Sequence, residues 1–219
     1  MIKAIIFDLD GVIIESAETK TEGFRALFAD YPDRLPEIIA YHQRNSGLSR
    51  YDKLRYSYEK ILRQELPAQK EAELGKRYSQ IVLEKVLNAP YTRGALEFLR
   101  QSKDQYQLFI ASGTPQEELQ NIVDHRRLSH FFREVHGSPK QKDEIIASIL
   151  SRYSFRRKEA VFVGDAESDR IAAEKAGVLF IARISSDSYE LRDYRWQIKD
   201  LTELDAVLIS LASGQEKGG

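Results

Sequence analysis

The chain has 219 residues, of which 42% are hydrophobic and 31% charged, and its formal net charge at pH 7 is -1. This balance is ordinary for a globular protein and gives no sign of the basic surface that a nucleic-acid or membrane-surface protein would carry. The absence of cysteine excludes disulfides, thiol catalysis and thiolate metal sites. No apolar run reaches the roughly eighteen residues that span a bilayer, and no signal peptide is recognisable, so we expect a cytoplasmic protein.

The first predicted strand is short and is followed by two carboxylates. Residues 5–7 form an unbroken hydrophobic run, which is typical of a strand buried on both faces of a parallel sheet. Asp8 and Asp10 follow at once, and Gly11 can turn the chain with a positive φ. Like charges this close are unfavourable unless a cation or a shared proton relieves them, so the segment is either a polar turn or part of a functional site.

Residues 16–88 carry helical patterns and no convincing strand. Ser49 suits the N-cap of one helix, after a loop at residues 45–48, and Pro67 suits the start of another. The helical pattern rests on Phe24, Leu27, Phe28, Ile38, Ile39, His42, Leu54, Tyr58, Ile61, Leu62, Leu74, Tyr78, Ile81, Val82 and Val86. We therefore predict a helical unit inserted after the first strand.

Beyond residue 89, strand and helix patterns alternate. The predicted strands are 107–111, 131–135, 160–163 and 178–181, and the predicted helices are 94–103, 115–124, 142–153, 167–176 and 201–211. This alternation predicts an α/β fold whose parallel sheet is covered by helices on both faces. We assign residues 1–15 and 89–212 to this core domain, residues 16–88 to the helical domain and residues 213–219 to a flexible tail.

Polar side chains follow these strands, and ligands of open α/β sheets bind beyond the carboxyl ends of the strands. The candidates are Asp8, Asp10, Ser112, Gly113, Thr114, Lys140, Lys142, Asp165, Glu167 and Asp169. Several carboxylates can hold Mg²⁺ beside phosphate oxygens, a helix start after Ser112 can bind an anion, and a lysine can offset phosphoryl charge. One aspartate can act as nucleophile and its neighbour as acid and base, so the set predicts phosphoryl transfer.

Three of these segments resemble motifs of the haloacid dehalogenase superfamily. Residues 7–11 (Phe-Asp-Leu-Asp-Gly) resemble its first motif, residues 111–114 (Ala-Ser-Gly-Thr) its second, and residues 164–169 (Gly-Asp-x-x-x-Asp) its fourth. The inserted helices lie where that superfamily carries a small helical cap, and the resemblance extends to about residue 177. It implies a Rossmann-like core with an α-helical cap domain.

The resemblance implies a role for each of four aspartates. Asp8 would be the nucleophile and a magnesium ligand, and Asp10 the general acid and base whose backbone carbonyl also faces the metal. Asp165 would bind the metal directly, and Asp169 through water or by supporting the ligands. Dehalogenases and phosphonatases of the superfamily lack the aspartate found here at Asp10, so a phosphatase or a phosphomutase is favoured.

The resemblance also implies which groups bind phosphate. Ser112 and the amides of Gly113 and Thr114 would hold the phosphoryl oxygens; the alternative for Ser112 is a helix N-cap, and the two roles are compatible. The third-motif lysine is assigned to Lys142, in a Gly-Ser-Pro-x-x-Lys pattern. Lys140, which directly follows the proline, is the alternative.

One candidate for substrate specificity lies in the helical cap. Residues 47–50 resemble a loop of β-phosphoglucomutase-like members that dips over the active site, where an arginine contacts the far, often anionic, end of the substrate. Arg50 is therefore the candidate, and a solvated arginine at a helix start is the alternative. Glu167, between two site aspartates, is expected to face solvent.

These inferences predict a magnesium-dependent phosphatase that hydrolyses a small phosphomonoester through an aspartyl-phosphate. The alternatives are a sugar phosphomutase of the β-phosphoglucomutase type and a catalytically silent binding protein on the same fold. The expected partner is a small phosphorylated metabolite, rather than a nucleic acid or a membrane. The expected oligomeric state is a monomer or a weak homodimer.

Overall fold

The computed structural model describes residues 1–185 and 191–214. The chain begins with strand β1 at Ala4–Phe7. Helices α1 to α4 follow at Ala17–Leu27, Leu35–Arg44, Arg50–Tyr56 and Ala68–Asn88, and a π-helical segment at Ser57–Leu62 continues α3. Residues 16–88 are therefore helical, as predicted.

Helices and strands alternate in the remainder of the chain. They are α5 (Ala95–Ser102), β2 (Gln107–Pro115), α6 (Gln116–His125), β3 (Glu134–Ser138), α7 (Lys142–Arg152), β4 (Ala160–Gly164), α8 (Glu167–Ala176), β5 (Leu179–Arg183), β6 (Gln197–Ile198) and α9 (Leu204–Gly214). Short 3₁₀ turns span Ser129–Phe131, Arg157–Glu159 and Leu201–Glu203. Within these described ranges, no helix is both long and apolar enough to cross a membrane.

One parallel sheet, with the strand order β3-β2-β1-β4-β5-β6, forms the centre of the α/β part. Ile5 and Phe7 of β1 belong to the core on one face, with α5 and α6, and Ala4 and Ile6 belong to the core on the other, with α7 and α8. Because strands flank β1 on both edges and helices cover both faces, all its side chains are buried. The predicted α/β fold is confirmed.

The inserted helices pack around aromatic rings. The ring centroid of Phe24 lies 5.0 Å from that of Tyr78 and 4.2 Å from that of His42, and Phe28 lies 5.9 Å from Tyr58. All five side chains are buried. The apolar pattern read from the sequence thus forms the interior of this helical unit.

The two connections between the sheet and the inserted helices run side by side. Ile14 and Tyr91 pair as an isolated antiparallel bridge, and the amide of Glu15 donates a hydrogen bond to the carbonyl of Pro90 at 2.9 Å. The chain therefore leaves the sheet and returns to it at one place. The division into domains at residues 15/16 and 88/89 stays a prediction.

The predicted end of the second strand at residue 111 is wrong. Strand β2 continues to Pro115, so Ser112, Gly113 and Thr114 lie in the strand and not at a helix start, while α6 begins at Gln116, one residue after its predicted start. A proline disfavours the helical conformation in the residue before it, so Thr114 stays extended and Pro115 itself is the N-cap. Ser112 lies inside a strand, which removes the N-cap alternative for this residue.

Several boundaries also differ at the sheet edges and the C-terminus. Strand β3 begins at Glu134 instead of residue 131, because Phe131 is part of a 3₁₀ turn that packs into the core. The two-residue strand β6 escaped prediction because it is too short to show a period. Helix α9 extends to Gly214, so the predicted tail begins within it, and residues 215–219 lie outside the described residues.

Candidate active site

A cluster of three aspartates lies at the carboxyl end of the central strands. Asp8 follows β1, Asp165 follows β4, and Asp169 is in the first turn of α8. One carboxylate oxygen from each lies within 4.8 Å of the other two, and Asp8 and Asp169 are buried while Asp165 is partly buried. The parallel register that places Phe7 beside Val163 brings these strand ends together.

Lys142 joins two members of this cluster. Its Nζ donates to Asp8 Oδ2 at 2.7 Å and to Asp169 Oδ1 at 2.6 Å, and the side chain is 6% exposed. Burial alone would lower the pKa of Lys142, but the charges of Asp169 and Asp8 raise it above its ordinary value. Of the two lysines that the sequence offered, Lys142 is therefore the one at the cluster.

Two strand-end candidates lie apart from the cluster. The side chain of Lys140 is exposed. Glu167 Oε2 accepts a hydrogen bond from Arg170 Nε at 2.9 Å, one turn along α8. Glu167 is partly buried in this pair.

The electrostatics of the cluster suit a cation. Burial, helped by the charges of Asp169 and Asp10 and opposed by that of Lys142, raises the pKa of Asp8 to about 6. Burial, followed by the charges of Asp169 and Asp8, raises the pKa of Asp165 well above its usual range. Buried carboxylates that repel one another lower their energy by sharing a dication, so the donor set fits Mg²⁺.

Gly11 allows this close arrangement. Its φ is +74°, and a Cβ at this position would lie 2.0 Å from Asp165 Oδ2. Any other residue would therefore clash with the carboxylate as well as being strained in its backbone. The turn predicted from the sequence is thus required by the neighbouring aspartate.

Asp10 has a separate set of partners, two of which, Ser16 and Lys20, were not predicted from the sequence. Ser16 Oγ donates to Asp10 Oδ1 at 2.6 Å, and Thr114 Oγ1 donates to Oδ2 at 3.1 Å. Lys20 forms an ion pair with the same carboxylate and donates to Thr114 Oγ1 at 2.7 Å. Ser16 directly precedes α1 and Lys20 lies four residues further on, so both side chains lie on the same face of the helix. This spacing is the feature of the sequence from which their shared position could have been predicted.

The pKa of Asp10 is shifted in the direction opposite to that of Asp8. Burial would raise the pKa of Asp10, but the charge of Lys20 and the hydrogen bonds from Lys20, Ser16 and Thr114 hold it below its usual value. Asp10 is therefore an ionised carboxylate in this structure.

The second predicted motif lies directly beneath the loop of the inserted helices. Ser112 is 1% exposed, and its Oγ accepts a hydrogen bond from the amide of Thr114 at 3.2 Å. A Cβ on Gly113 would lie 2.7 Å from the carbonyl oxygen of Gly47 and 2.8 Å from that of Leu48. The loop therefore rests against the strand end in a closed arrangement.

Arg50 is held by protein groups. Its Nη2 lies 2.5 Å from Glu118 Oε1 of α6, and its Nη1 donates to Ser79 Oγ of α4. Ser79 Oγ also contacts Glu118 Oε2 at 2.7 Å. Arg50 is 4% exposed, so it is neither the solvated helix-start arginine nor, in this arrangement, open to a substrate.

A narrow cleft lies between the two aspartates of the first motif and the inserted helices. Its wall includes Asp8, Asp10, Lys20, Arg50 and Lys53. Lys53 was also missed by the sequence reasoning, since nothing local distinguishes it from a surface lysine. It is 4% exposed, and burial, followed by the charges of Lys20 and Lys142, lowers its pKa to about 7.

The family model described as haloacid dehalogenase-like hydrolase matches residues 5–183. This range holds every predicted site residue and most of the chain. The protein therefore belongs to the haloacid dehalogenase-like hydrolases.

Two similar proteins carry phosphatase names. A phosphorylated carbohydrates phosphatase of Thermotoga maritima is 25% identical over 212 residues, which cover 94% of this chain and 93% of that protein. A phosphoglycolate phosphatase of Aliivibrio fischeri is 27% identical over 187 residues, which cover 80% of this chain and 81% of that protein. With the family match, these relatives confirm the predicted enzyme class, a phosphohydrolase.

Solved structures share the fold. β-Phosphoglucomutase from Clostridium difficile superposes with a TM-score of 0.78 at 17% identity, over 97% of this chain and 98% of that one. A predicted phosphatase from Clostridium acetobutylicum gives a TM-score of 0.76 at 18% identity, over 96% of this chain and 99% of that one. Both superpositions cover the sheet and the inserted helices.

Proposed function

We propose that the protein is a magnesium-dependent phosphatase that hydrolyses a small phosphomonoester through an aspartyl-phosphate on Asp8. The observation that carries the proposal is the buried contact of Asp8 with Lys142, beside Asp165 and Asp169. An anionic nucleophile, a fixed cation and a dication site at one point are the parts that phosphoryl transfer needs.

Asp8, Asp165 and Asp169 would hold the metal, together with the backbone carbonyl of Asp10. Their buried, mutually repelling carboxylates fit a hard dication that prefers oxygen ligands. When bound, Mg²⁺ would offset the negative charge of the carboxylates and of the phosphoryl oxygens.

In the first half-reaction, a carboxylate oxygen of Asp8 attacks phosphorus and the bond from phosphorus to the ester oxygen breaks. Lys142 stabilises the charge on the phosphoryl oxygens, and the Ser112 hydroxyl and the amides beside it orient them. Asp10 donates a proton to the departing oxygen. Asp10 must take up that proton beforehand, which becomes easier if the phosphoryl group draws Lys20 away from it.

In the second half-reaction, water attacks the phosphorus of the aspartyl-phosphate. Asp10 accepts a proton from the water, the bond from phosphorus to Asp8 breaks, and the carboxylate of Asp8 is restored. The low pKa of Asp10 favours this basic role, because it keeps the carboxylate ionised. The closed loop over Gly113 would limit the access of other water molecules.

The names of the two similar proteins indicate a class of substrate. Their names refer to phosphorylated carbohydrates and to phosphoglycolate, which are both small phosphomonoesters. We therefore expect a small phosphorylated metabolite here. A phosphomutase would use the same aspartates but would return the phosphoryl group to a second hydroxyl of the substrate.

The test is a phosphate-release screen over a panel of phosphorylated metabolites with Mg²⁺, for the wild type and Asp8→Asn. We expect Asp8→Asn to lose essentially all activity because an amide is a poor nucleophile, by roughly 10⁴-fold or more. Asp104→Asn, at an exposed turn, is the matched control. Activity that survives in Asp8→Asn would refute the aspartyl-phosphate, and a product that keeps its phosphate at another position would identify a phosphomutase.

A further inference from the structure

Lys53 is a buried cation that faces the active-site cleft. It lies in α3, is 4% exposed, and its Nζ lies 5.4 Å from the ring centroid of Phe24. Its Nζ donates to the backbone carbonyl of Ser46 at 3.2 Å. Among residues 1–185 and 191–214, no carboxylate forms an ion pair with it.

The other cations of this region are neutralised by carboxylates. Lys20 is paired with Asp10, Arg50 with Glu118, and Lys142 with Asp8 and Asp169. Lys53 differs from all of them in its neutral hydrogen-bond partner. A buried ammonium without a counter-ion is unfavourable, and its lowered pKa of about 7 reflects that cost. An anion that enters the cleft would relieve it.

The position of Lys53 indicates which anion this would be. The residue lines the same cleft as Asp8 and Asp10, from the side of the inserted helices. The transferred phosphoryl group belongs at Asp8 and Lys142. An anion at Lys53 is therefore a second charged group on the same small molecule, on the leaving-group side of the ester.

We propose that Lys53 is a specificity-determining residue that binds a second anionic group, a carboxylate or a second phosphate, on the phosphomonoester substrate. This inference rests on the proposed function, because it takes the phosphoryl position from the Asp8 nucleophile.

Arg50 is less suited to this role than the sequence suggested. Its guanidinium already contacts Glu118, Ser79 and the carbonyl of Gly75. A substrate anion at Arg50 would have to displace Glu118 and leave that carboxylate without its cation. At Lys53 the anion displaces only one hydrogen bond to a backbone carbonyl.

The first experiment measures binding without turnover. Phosphonoacetate and 3-phosphonopropionate are compared with ethylphosphonate and propylphosphonate, in which a methyl group replaces the carboxylate, and ethylenediphosphonate supplies the second phosphate. Dissociation constants are measured by calorimetry in the presence of Mg²⁺. We expect the wild type to bind at least one anion-ended probe roughly tenfold more tightly than its methyl-ended match, as a charge-assisted hydrogen bond would give.

Variants then assign the preference to Lys53. Lys53→Met should remove the preference, and Lys53→Arg should restore it in part because it keeps the charge. Lys76→Met, at an exposed position of α4, is the control. If Lys53 had only a structural role, Lys53→Met would bind both probes of a pair more weakly by the same factor. An unchanged preference for the anion-ended probe in Lys53→Met therefore overturns the inference. If Lys53→Met does not fold, Lys53→Gln takes its place. The wild type alone can also overturn the inference, if it binds the anion-ended and the methyl-ended probe of each pair with equal affinity.

The second experiment separates this inference from the proposed function. Phosphate release from phosphoglycolate is compared with that from ethyl phosphate, as the ratio of the two kcat/KM values, in the wild type and in Lys53→Met. A tenfold or larger fall in the ratio, of about the size of one lost charged contact, supports the inference. If no ester is hydrolysed while binding still depends on Lys53, the proposed function fails and the inference stands. If both esters are hydrolysed with equal kcat/KM, the inference fails and the proposed function stands.

Discussion

Asp8 and Asp10 are two residues apart on one short turn, yet their surroundings shift their pKa values in opposite directions. Asp8 lies among other carboxylates and is buried, which raises its pKa to about 6. Asp10 is also buried, but Lys20, Ser16 and Thr114 hold its pKa below the usual value. Two carboxylates that differ in this way can take different roles in one reaction.

Lys20 is the group that sets Asp10 apart, and its removal should show this. In Lys20→Met the burial of Asp10 is no longer offset by a cation, so the pKa of Asp10 should rise. Because the base must be ionised, the acid limb of the pH profile of kcat/KM should move to higher pH. Phosphate release measured between about pH 5 and pH 9 checks this expectation.

Two further variants complete this test. Lys20→Arg keeps the positive charge and should leave the acid limb closer to its wild-type position. Lys76→Met removes a lysine from an exposed position of α4 and should leave the profile unchanged. If the profile of Lys20→Met overlays that of the wild type, Lys20 does not control the protonation of Asp10.

Among the helices, α3, α4 and α6 meet in a buried polar cluster that joins the inserted helices to the core. Arg50 from α3 and Ser79 from α4 both contact Glu118 of α6. The Arg50 side chain is 4% exposed and that of Glu118 is 11% exposed, so solvent screens this ion pair little. The cluster therefore favours the closed arrangement of the loop over the cleft.

A double-mutant cycle measures this interaction. Arg50→Met, Glu118→Gln and the double variant are unfolded with urea, and we expect a coupling free energy of about 1 kcal/mol or more because the pair is buried. The exposed pair of Arg34 and Glu37, 3.4 Å apart, is the matched control and should couple by about 0.3–0.5 kcal/mol. Equal coupling for the two pairs would contradict a specific contribution of the buried cluster.

The sequence predicted the parts of the site that are local and missed those that depend on packing between elements. Asp8, Asp10 and Gly11 were recognisable because a buried strand and its turn are contiguous in the chain. Lys20 and Lys53 are ordinary lysines on amphipathic helices, and their role appears only when these helices cover the strand ends. The end of strand β2 was placed too early, at residue 111, because Ser112, Gly113 and Thr114 interrupt the hydrophobic run although the strand continues to Pro115.

The stability of the whole protein should depend on pH through His42. Burial, followed by the charges of Lys53 and Lys20, lowers the pKa of His42 well below its ordinary value, so the folded protein keeps the ring neutral. In the unfolded chain the ring titrates near pH 6.5, so below this pH the unfolded chain binds a proton that the folded protein does not. The free energy of unfolding should therefore decrease as the pH falls below about 6.5.

His42→Phe should remove this part of the pH dependence. The ring packs against Phe24 in a tilted arrangement, and its Nδ1 has no hydrogen-bond partner in the part of the chain that the structure describes, so an apolar ring is a suitable replacement. Between pH 7 and pH 5 the free energy of unfolding of the wild type should fall by up to about 2 kcal/mol more than that of the variant, as measured by urea unfolding. His125→Gln, at an exposed position, is the control, and equal losses in His42→Phe and the wild type would contradict the assignment.

The paired connections at Ile14 and Tyr91 have a consequence for how this architecture can be varied. The chain leaves and re-enters the sheet at neighbouring points, where the amide of Glu15 meets the carbonyl of Pro90 at 2.9 Å. A segment grafted between these points must match only a gap of about one strand-to-strand spacing, near 5 Å, whatever its length or internal design. We therefore expect the insertion to be exchangeable, and a swapped one to bring a new substrate preference while β1 and its aspartates keep their register.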